Sequence, residues 1–300
     1  METDSELNKK KMKRYLHLIF ILLLFCSGCA TPPGPYIKGR PYEGPINKPV
    51  SDKRYPQVEV GRDIKIVNGL GHYFFSLVPN PITGWIPSKL LLWNWKVNKH
   101  WISQDTIDDV EKYLKTNNLW DTKVRINQYA PIREIRRLKR NYRVGAGYRW
   151  TLGLIGWLQY TILPGKLFGG DNYNPYTDTV SIYSDLSAIA YHEGGHAKDL
   201  SWRRLKGTYN LLYMVPVWTE VFEYRASRDA IRYTYYKKEK GNELGCYKLL
   251  HPAFGSYVGA EFGYLPIYLT AVVTGHVTGR IKAYNRNKHY DEYLIVSEFE

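Results

Sequence analysis

The sequence predicts an α+β fold in which a short strand leads directly into a helix. Residues 179–183 (TVSIY) alternate apolar and polar side chains with the period of a strand. The run that follows, residues 186–200, is predicted to be a helix, and Ser184 and Asp185 before it are typical N-cap residues. Further helices and a second strand are predicted around this pair, and together they indicate one domain over residues 57–300.

Three more elements precede this pair in the chain. A helix is predicted to begin after Asp105 or Thr106. Val124 and Ile126 alternate with polar residues and predict a half-buried strand. Pro131 is expected to open a second helix, whose basic face we expect to be solvated. The apolar positions that define these helices are Ile107, Val110, Tyr113 and Leu114 in the first, and Ile132, Ile135 and Leu138 in the second.

The composition is that of an ordinary globular protein. The 300 residues are 44% hydrophobic and 23% charged, which excludes disorder, collagen and a multi-span channel. The formal net charge is +14, from 42 basic and 28 acidic residues. Such a charge favours anionic surfaces, either lipid headgroups or nucleic acid. No recognised nucleic-acid motif accompanies the charge, so we expect no nucleic-acid partner.

The N-terminus predicts export. A basic block at residues 9–14 precedes the apolar run 16–25, and this order indicates a signal segment over residues 1–28. Ser27-Gly28-Cys29 resembles the lipobox of bacterial lipoproteins, which implies acylation of Cys29 and attachment to a bacterial membrane, facing the periplasm or the cell exterior. An uncleaved signal anchor is the alternative. Either outcome places the domain outside the cytoplasm.

Other segments bear on the membrane and on cysteine chemistry. The proline-rich run 29–56 predicts an extended tether. Residues 73–101 are rich in tryptophan, and we expect core rather than a lipid-facing surface there. Residues 150–163 and 254–279 are apolar but interrupted, so each predicts a buried helix pair or a shallow membrane-dipping element. Cys246 is expected to be a packed thiol.

The chemistry is concentrated in His192-Glu193-Gly194-Gly195-His196, an HExxH pattern within the predicted helix. Side chains four apart share a helix face, so both imidazoles can reach one ion, and the glutamate between them can hold a water. Each glycine costs about 1 kcal/mol relative to alanine inside a helix. Two of them therefore indicate that another part of the chain approaches very closely at this point.

Zinc bound by two histidines needs a third protein ligand if one position is to stay open for water. Two glutamates are candidates, Glu220 and Glu223, both on a helix predicted to start near Pro216. A carboxylate projecting from a second helix packed against the first would complete the site.

The run Glu223-Tyr224-Arg225-Ala226-Ser227, placed after the HExxH helix, resembles the ligand helix of gluzincin metallopeptidases. The resemblance covers about residues 122–232 and is closest to the minigluzincin and the heat-shock and CAAX-type branches. It implies a small mixed sheet, one Zn²⁺ per chain, and His192, His196 and Glu223 as its ligands. Those families usually have aspartate where this chain has Ser227. The candidate supporting residues are therefore Ser227 itself, and Asp199 or Asp229 as substitutes for the missing aspartate.

The resemblance also implies roles for other residues. Glu193 would be the general base, and a peptide substrate would pair with an exposed strand before the zinc helix. The expected function is a membrane-anchored zinc endopeptidase acting on exported or membrane-associated proteins. A catalytically inactive lipoprotein that acts as a binding or envelope-assembly scaffold is the alternative. The strand residues are Thr179, Val180, Ser181, Ile182 and Tyr183, and the candidate oxyanion stabilisers are His251, His276, Tyr257 and Tyr264.

Overall fold

The computed structural model describes residues 56–61, 85–99, 101–163, 165, 170–215 and 217–290. The predicted signal segment and lipidation site lie outside these residues, as do nearly all of the predicted tether, residues 73–84 of the tryptophan-rich segment, and Pro216. Within the described residues the fold is mixed α+β and mainly helical, which confirms the predicted fold class.

The described residues form four strands and nine α-helices of six residues or more, besides a three-residue helix at Ala146–Tyr148. The strands are β1 (Val58–Val60), β2 (Lys123–Ile126), β3 (Asn172–Asn174) and β4 (Thr179–Ile182). The first helices are α1 (Trp85–Leu91), α2 (Gln104–Thr116), α3 (Pro131–Arg140) and α4 (Leu154–Ile162). The later helices are α5 (Ser187–Ser201), α6 (Lys206–Leu211), α7 (Trp218–Tyr236), α8 (Lys240–Glu261) and α9 (Leu265–Lys288).

The sheet has the order β1-β2-β4-β3. β1, β2 and β4 run parallel, with Val124 opposite both Val58 and Val180. β3 forms an antiparallel hairpin with β4, in which Tyr173 lies opposite Val180. β4 is therefore an inner strand, and β1 and β3 are the outer ones.

Strand β2 is buried on both faces, not half-buried as its alternation predicted. Its second face carries Arg125, which donates from Nε to Glu134 at 2.6 Å and from Nη1 to Glu59 at 3.1 Å. Glu134 on α3 must therefore face the sheet. This turns α3 away from the predicted orientation and leaves Ile132 exposed, while Leu138 is buried as expected.

The basic face of α3 is only partly solvated. Arg137 donates to the backbone carbonyls of Asp121, Thr177 and Asp178 at 2.9–3.0 Å. It thereby ties α3 to the turn that precedes β4. The expectation of a wholly solvated face is wrong at this position, because unpaired carbonyls in these turns need a donor.

The main core lies between the other face of the sheet and helices α2, α5, α7 and α8. It includes Val110 and Leu114 from α2, and Cys246 and Leu249 from α8. Cys246 is a free, buried cysteine, and burial raises the pKa of its thiol to about 12, which confirms the predicted packed thiol. The core thus extends on both sides of the range 122–232.

The described part of the tryptophan-rich segment contributes little to this core. Val97 is buried, but Trp93, Trp95 and Trp101 are exposed. The expectation that these rings are core residues is therefore wrong. A short helix and a turn hold them at the surface, and Trp93 stacks on His276 with ring centroids 4.0 Å apart.

Residues 254–279 form parts of α8 and α9, which are packed as an antiparallel helix pair. Glycines on each helix let the backbones approach: a Cβ at Gly255 would lie 2.4 Å from the carbonyl oxygen of Ala271, and one at Gly275 would lie 2.5 Å from that of His251. No described helix is long and apolar enough to cross a bilayer.

Residues 150–163 contain a π-helical turn (Arg149–Gly153) followed by α4. The segment is not buried. Trp157 donates to the carbonyl of Pro131 at 2.8 Å and anchors α4 to α3, whereas Ile155, Leu158 and Ile162 are exposed.

Candidate metal centre

The loop between β4 and α5 is fixed from both sides by carboxylates. Asp171 accepts hydrogen bonds from the backbone N–H groups of Tyr183 and Ser184, at 2.6 and 2.9 Å. Asp185 accepts from the N–H and hydroxyl of Ser103 at the start of α2, at 2.9 and 2.6 Å. Ser184 and Asp185 were predicted to cap α5, and this prediction is wrong. Ser184 Oγ accepts from the N–H of Asn98 and Asp185 accepts from Ser103. α5 begins after Leu186 without a side-chain cap.

Three side chains converge where α5 meets α7. The Nε2 atoms of His192 and His196 are 3.1 Å apart. The Glu223 carboxylate places Oε2 at 2.9 Å from Nε2 of His192 and Oε1 at 3.4 Å from Nε2 of His196. Within the described residues this is the only group of three or more such side chains able to hold a metal ion. We call His192, His196 and Glu223 the ligand set.

The glycines of the HExxH motif explain how the second helix comes so close. A Cβ on Gly195 would lie 3.0 Å from Cα and the carbonyl oxygen of Ala226 on α7. A Cβ on Gly194 would lie 2.5 Å from the ring of Tyr113 on α2. The predicted close approach is confirmed. Ala226 is one turn beyond Glu223 on α7, so this contact sets how close the Glu223 carboxylate comes to α5.

The other nitrogen of each imidazole is held by a hydroxyl oxygen. Nδ1 of His192 is 3.1 Å from Oγ of Ser227, and Nδ1 of His196 is 2.8 Å from the hydroxyl of Tyr213. When each Nδ1–H donates to its oxygen, both Nε2 lone pairs point at Glu223. Such outer partners fix the tautomer and orientation of metal-binding histidines.

The spacing of the ligand set is close to that expected around one tetrahedral metal ion. Ligand atoms about 2.0–2.1 Å from a tetrahedral ion are separated by about 3.3 Å, and the three separations here are 2.9, 3.1 and 3.4 Å. Two imidazole lone pairs and a carboxylate, all buried, also leave an excess of negative charge and acceptors at one point. A divalent cation satisfies all three groups at once.

The two acidic residues of the site have opposite pKa shifts. Burial tends to raise the pKa of Glu223, but His196 and His192 outweigh it and hold the pKa well below its usual range, so Glu223 stays charged. Burial raises the pKa of Glu193 to about 8; the neighbouring His192 opposes this shift and the charge of Glu223 adds to it. Glu193 therefore binds a proton more readily than an ordinary glutamate.

Glu220, the competing third ligand, lies outside the ligand set. It is one turn before Glu223 on α7, and its buried carboxylate oxygens make no hydrogen bond among the described residues. Asp199 and Asp229 likewise do not contact either histidine among the described residues. Asp199 accepts from Arg203 and Tyr209, at 2.7 and 2.5 Å.

Asp229 belongs to a separate buried group. It accepts from Lys198 at 2.8 Å and from Tyr113 at 2.5 Å. This group holds α2, α5 and α7 together directly behind the site. Of the three candidate supporting residues, Ser227 is the one that contacts a histidine of the ligand set, at Nδ1 of His192.

Of the candidate oxyanion stabilisers, only Tyr257 on α8 reaches the site. Burial together with the charges of the nearby Glu223 and Glu193 raises the pKa of its hydroxyl well above the usual range. His276 instead bonds the carbonyl of Leu91 at 2.7 Å. His251 lies in the α8–α9 interface, where burial and the Lys282 charge lower its pKa to about 4. Tyr264 lies beyond the end of α8 and is exposed.

The predicted substrate strand is also corrected. β4, including Thr179, Val180, Ser181 and Ile182, is hydrogen-bonded along both edges, to β2 and to β3, and Tyr183 after it is buried. It therefore has no free edge for a peptide. β3 does not pair with another strand along its outer edge within the described residues, and the backbone N–H of Tyr173 in β3 acts on the Glu193 carboxylate and lowers its pKa.

Comparison with protein-family models, with curated proteins and with solved structures gives no match for this chain. The geometry of the ligand set and its neighbours is therefore the basis for any functional conclusion.

Proposed function

We propose that this protein is a zinc-dependent metallopeptidase held at a membrane by its N-terminal segment. The observation that carries the proposal is the convergence of two Nε2 atoms and one carboxylate, with a buried glutamate of raised pKa beside them. The order of elements, a strand, the HExxH helix and a helix with Glu-x-x-Ala, is the one that the gluzincin resemblance implies.

His192, His196 and Glu223 would hold the Zn²⁺. The ion would supply Lewis acidity toward a water molecule and the peptide carbonyl. The permanent charge on Glu223 and the tautomers set by Ser227 and Tyr213 keep all three ligand atoms available for it.

Glu193 would act as general base and then as general acid. A group whose pKa lies near the working pH can both accept and return a proton efficiently. Glu193 would take a proton from the attacking water and deliver it to the leaving amine. Its surroundings maintain this capacity, because burial disfavours the charged form while the nearby N–H of Tyr173 favours it.

Tyr257 would stabilise the oxyanion. Its raised pKa keeps the phenol protonated, so the hydroxyl is a permanent donor beside Glu223. A donor fixed before the reaction begins is worth several kcal/mol to a developing negative charge. The peptide would lie along the free edge of β3, where backbone hydrogen bonds would bind it without regard to sequence.

Metal analysis of the purified chain tests the ligand set independently of activity. We expect one zinc per chain, lost in His192→Ala and Glu223→Ala and kept in Glu220→Ala. Glu220→Ala is a matched control, since it removes a carboxylate from the same helix one turn away. A folded wild-type chain without zinc, in a sample never exposed to chelator, would contradict the proposal.

The scaffold alternative is separated by Glu193→Gln. A peptidase that carries this substitution keeps its zinc and its fold but no longer hydrolyses an unfolded protein substrate. If Glu193→Gln and wild type are equally inert toward substrate and equally competent in the cell, the protein acts as a scaffold and the peptidase proposal fails.

A further inference from the structure

An exposed apolar surface surrounds the turn between α8 and α9. Phe262, Tyr264, Leu265 and Ile267 project from this turn with 41–66% of their area exposed. Soluble proteins seldom expose so many large apolar side chains side by side. The turn itself is tight, with Gly263 at φ +59°.

The surface continues along the outer side of α9. Leu269, Val273, Val277 and Ile281 recur at intervals of four residues and are each about half exposed. The opposite side of α9, which includes Gly275 and Ala283, is buried. α9 therefore has two apolar faces, and only one of them is covered within the described residues. We call the turn residues and this outer stripe the hairpin surface.

The charge along α9 has one sign, whereas the exposed acid Glu261 lies at the end of α8, directly before the turn. Residues 262–290 contain no aspartate or glutamate. Arg280, Lys282, Arg286 and Lys288 all lie near the C-terminal end of α9, where Lys282 and Lys288 are exposed and Arg286 pairs with Glu243. An apolar stripe that ends in exposed lysines matches the border between acyl chains and anionic headgroups.

We propose that the hairpin surface lies on a lipid bilayer with anionic headgroups, with the α8–α9 turn inserted among the acyl chains. The aromatic rings at the turn suit the headgroup boundary. A bilayer is favoured over a protein partner because every charged side chain on α9 is positive. The predicted anchor at Cys29 would hold the domain close enough for this contact.

The contact would place the candidate metal centre next to the membrane. Tyr257, whose pKa is raised by the nearby Glu223 charge, precedes Phe262 by five residues, a rise of about 8 Å along the helix. The inference itself does not depend on zinc or on hydrolysis, and a chain without activity would still show it.

Site-specific labelling of the full chain reconstituted in vesicles tests the proposal. An environment-sensitive fluorophore on Leu265→Cys reports the turn, and one on Lys139→Cys is the matched control. Lys139 is exposed on α3, which covers the opposite face of the sheet. The unsubstituted chain, labelled in parallel, corrects for background, and Cys246 does not compete because it is buried.

We expect lipids with a doxyl group on the acyl chain to quench the Leu265 label by about half and the Lys139 label hardly at all, since interfacial elements reach about 5–10 Å into the bilayer. Water-like emission from the Leu265 label would overturn the proposal. Blue-shifted emission that doxyl-lipids do not quench would also overturn it and would assign the hairpin surface to a second copy or to another segment of this chain.

Charge provides a second measurement. Quenching at Leu265 should increase when phosphatidylglycerol replaces a neutral lipid, and Lys282→Gln with Lys288→Gln should remove most of that increase. The matched control is Lys115→Gln, an exposed lysine on α2. Equal quenching in neutral and anionic vesicles would overturn the role assigned to the lysines.

Discussion

The hydroxyl oxygens of Ser227 and Tyr213 hold the two imidazoles of the ligand set from behind. The position of Ser227 could be predicted from the sequence, because the gluzincin resemblance marks that position as a supporting one. Its serine side chain raised the expectation that Asp199 or Asp229 takes over, whereas its hydroxyl makes the contact itself. Tyr213 lies in a 3₁₀ turn with no periodic pattern, so only the three-dimensional packing of its ring on Phe222 reveals it.

Replacing Tyr213 should therefore weaken metal binding without unfolding the chain. Tyr213→Phe keeps the ring contact with Phe222 and removes the oxygen at Nδ1 of His196. We expect zinc affinity to fall about 10- to 100-fold, as is usual for the loss of an outer partner of a metal-bound histidine. Competition with a chromogenic chelator measures the zinc affinity. The control is Tyr224→Phe, which removes the hydroxyl of an exposed tyrosine on α7 and should leave the affinity unchanged.

Asp185 gives the fold a defined acid sensitivity. Burial tends to raise its pKa, but the hydroxyl and N–H of Ser103, together with Lys99, lower it from 3.8 to about 2. The folded state therefore binds this proton less readily than the unfolded state. The resulting stability is fully present above about pH 4 and is lost as the pH falls through about 2.

Asp185→Asn should remove this contribution. We expect the free energy of unfolding at pH 7 to fall by about 1–2 kcal/mol, and the difference from wild type to shrink between pH 4 and pH 2. Urea denaturation at a series of pH values measures both. Parallel curves for the two proteins over that interval would show that Asp185 is not the group responsible.

At the scale of elements, the contact between α5 and α7 determines the geometry of the ligand set. Gly195→Ala would place a methyl group 3.0 Å from the backbone of Ala226. We expect the helices to separate by a few tenths of an ångström, zinc affinity to fall, and stability to drop by about 1–3 kcal/mol through overpacking.

The control for this substitution is Gly245→Ala on α8. A Cβ there meets nothing within 4 Å. Its stability should rise by up to about 1 kcal/mol, because alanine is the better helix former. If Gly195→Ala is stabilised to the same degree, the close packing of α5 on α7 is not what restricts position 195.

The sequence predicted which segments form elements better than it predicted their neighbours. β4 and α5 were identified from local periodicity, and the HExxH spacing alone placed both histidines on one face. The inner position of β4 could not be predicted, because it depends on pairing with β3. The three residues of β3, NYN, show no strand pattern of their own. The orientation of α3 also depends on the packing of α3 on the sheet, since Arg125 on β2 donates a hydrogen bond to Glu134 on α3.

At the scale of the whole molecule, the candidate metal centre adds a further link between helices that the Lys198–Asp229 pair already joins. α5 and α7 supply the ligand set, and Tyr257 adds α8. An ion bound to both α5 and α7 should oppose the separation of these two helices on unfolding. Metal binding should thus be visible as thermal stability.

We expect zinc at about 100 times its dissociation constant to add about 2.7 kcal/mol, which corresponds to about 5–10 °C in Tm for a domain of this size. A chelator should reverse the gain. Differential scanning calorimetry measures it, and Glu223→Ala should show no response to either reagent. A wild-type Tm that is indifferent to zinc would contradict a site that links the helices.

The order of strands in the sheet has a consequence for how the chain acquires its structure. β1 with β2, and β2 with β4, each pair across about 60 residues of intervening chain, whereas β3 and β4 are consecutive and joined by a short turn. Closing a long loop lowers the entropy of the chain before the stabilising contacts between the strands have formed, so distant parallel pairings form slowly. We expect the β3–β4 hairpin to form first, with α5 directly behind it. The part of the chain that carries the histidines would then serve as the template on which the N-terminal strands assemble.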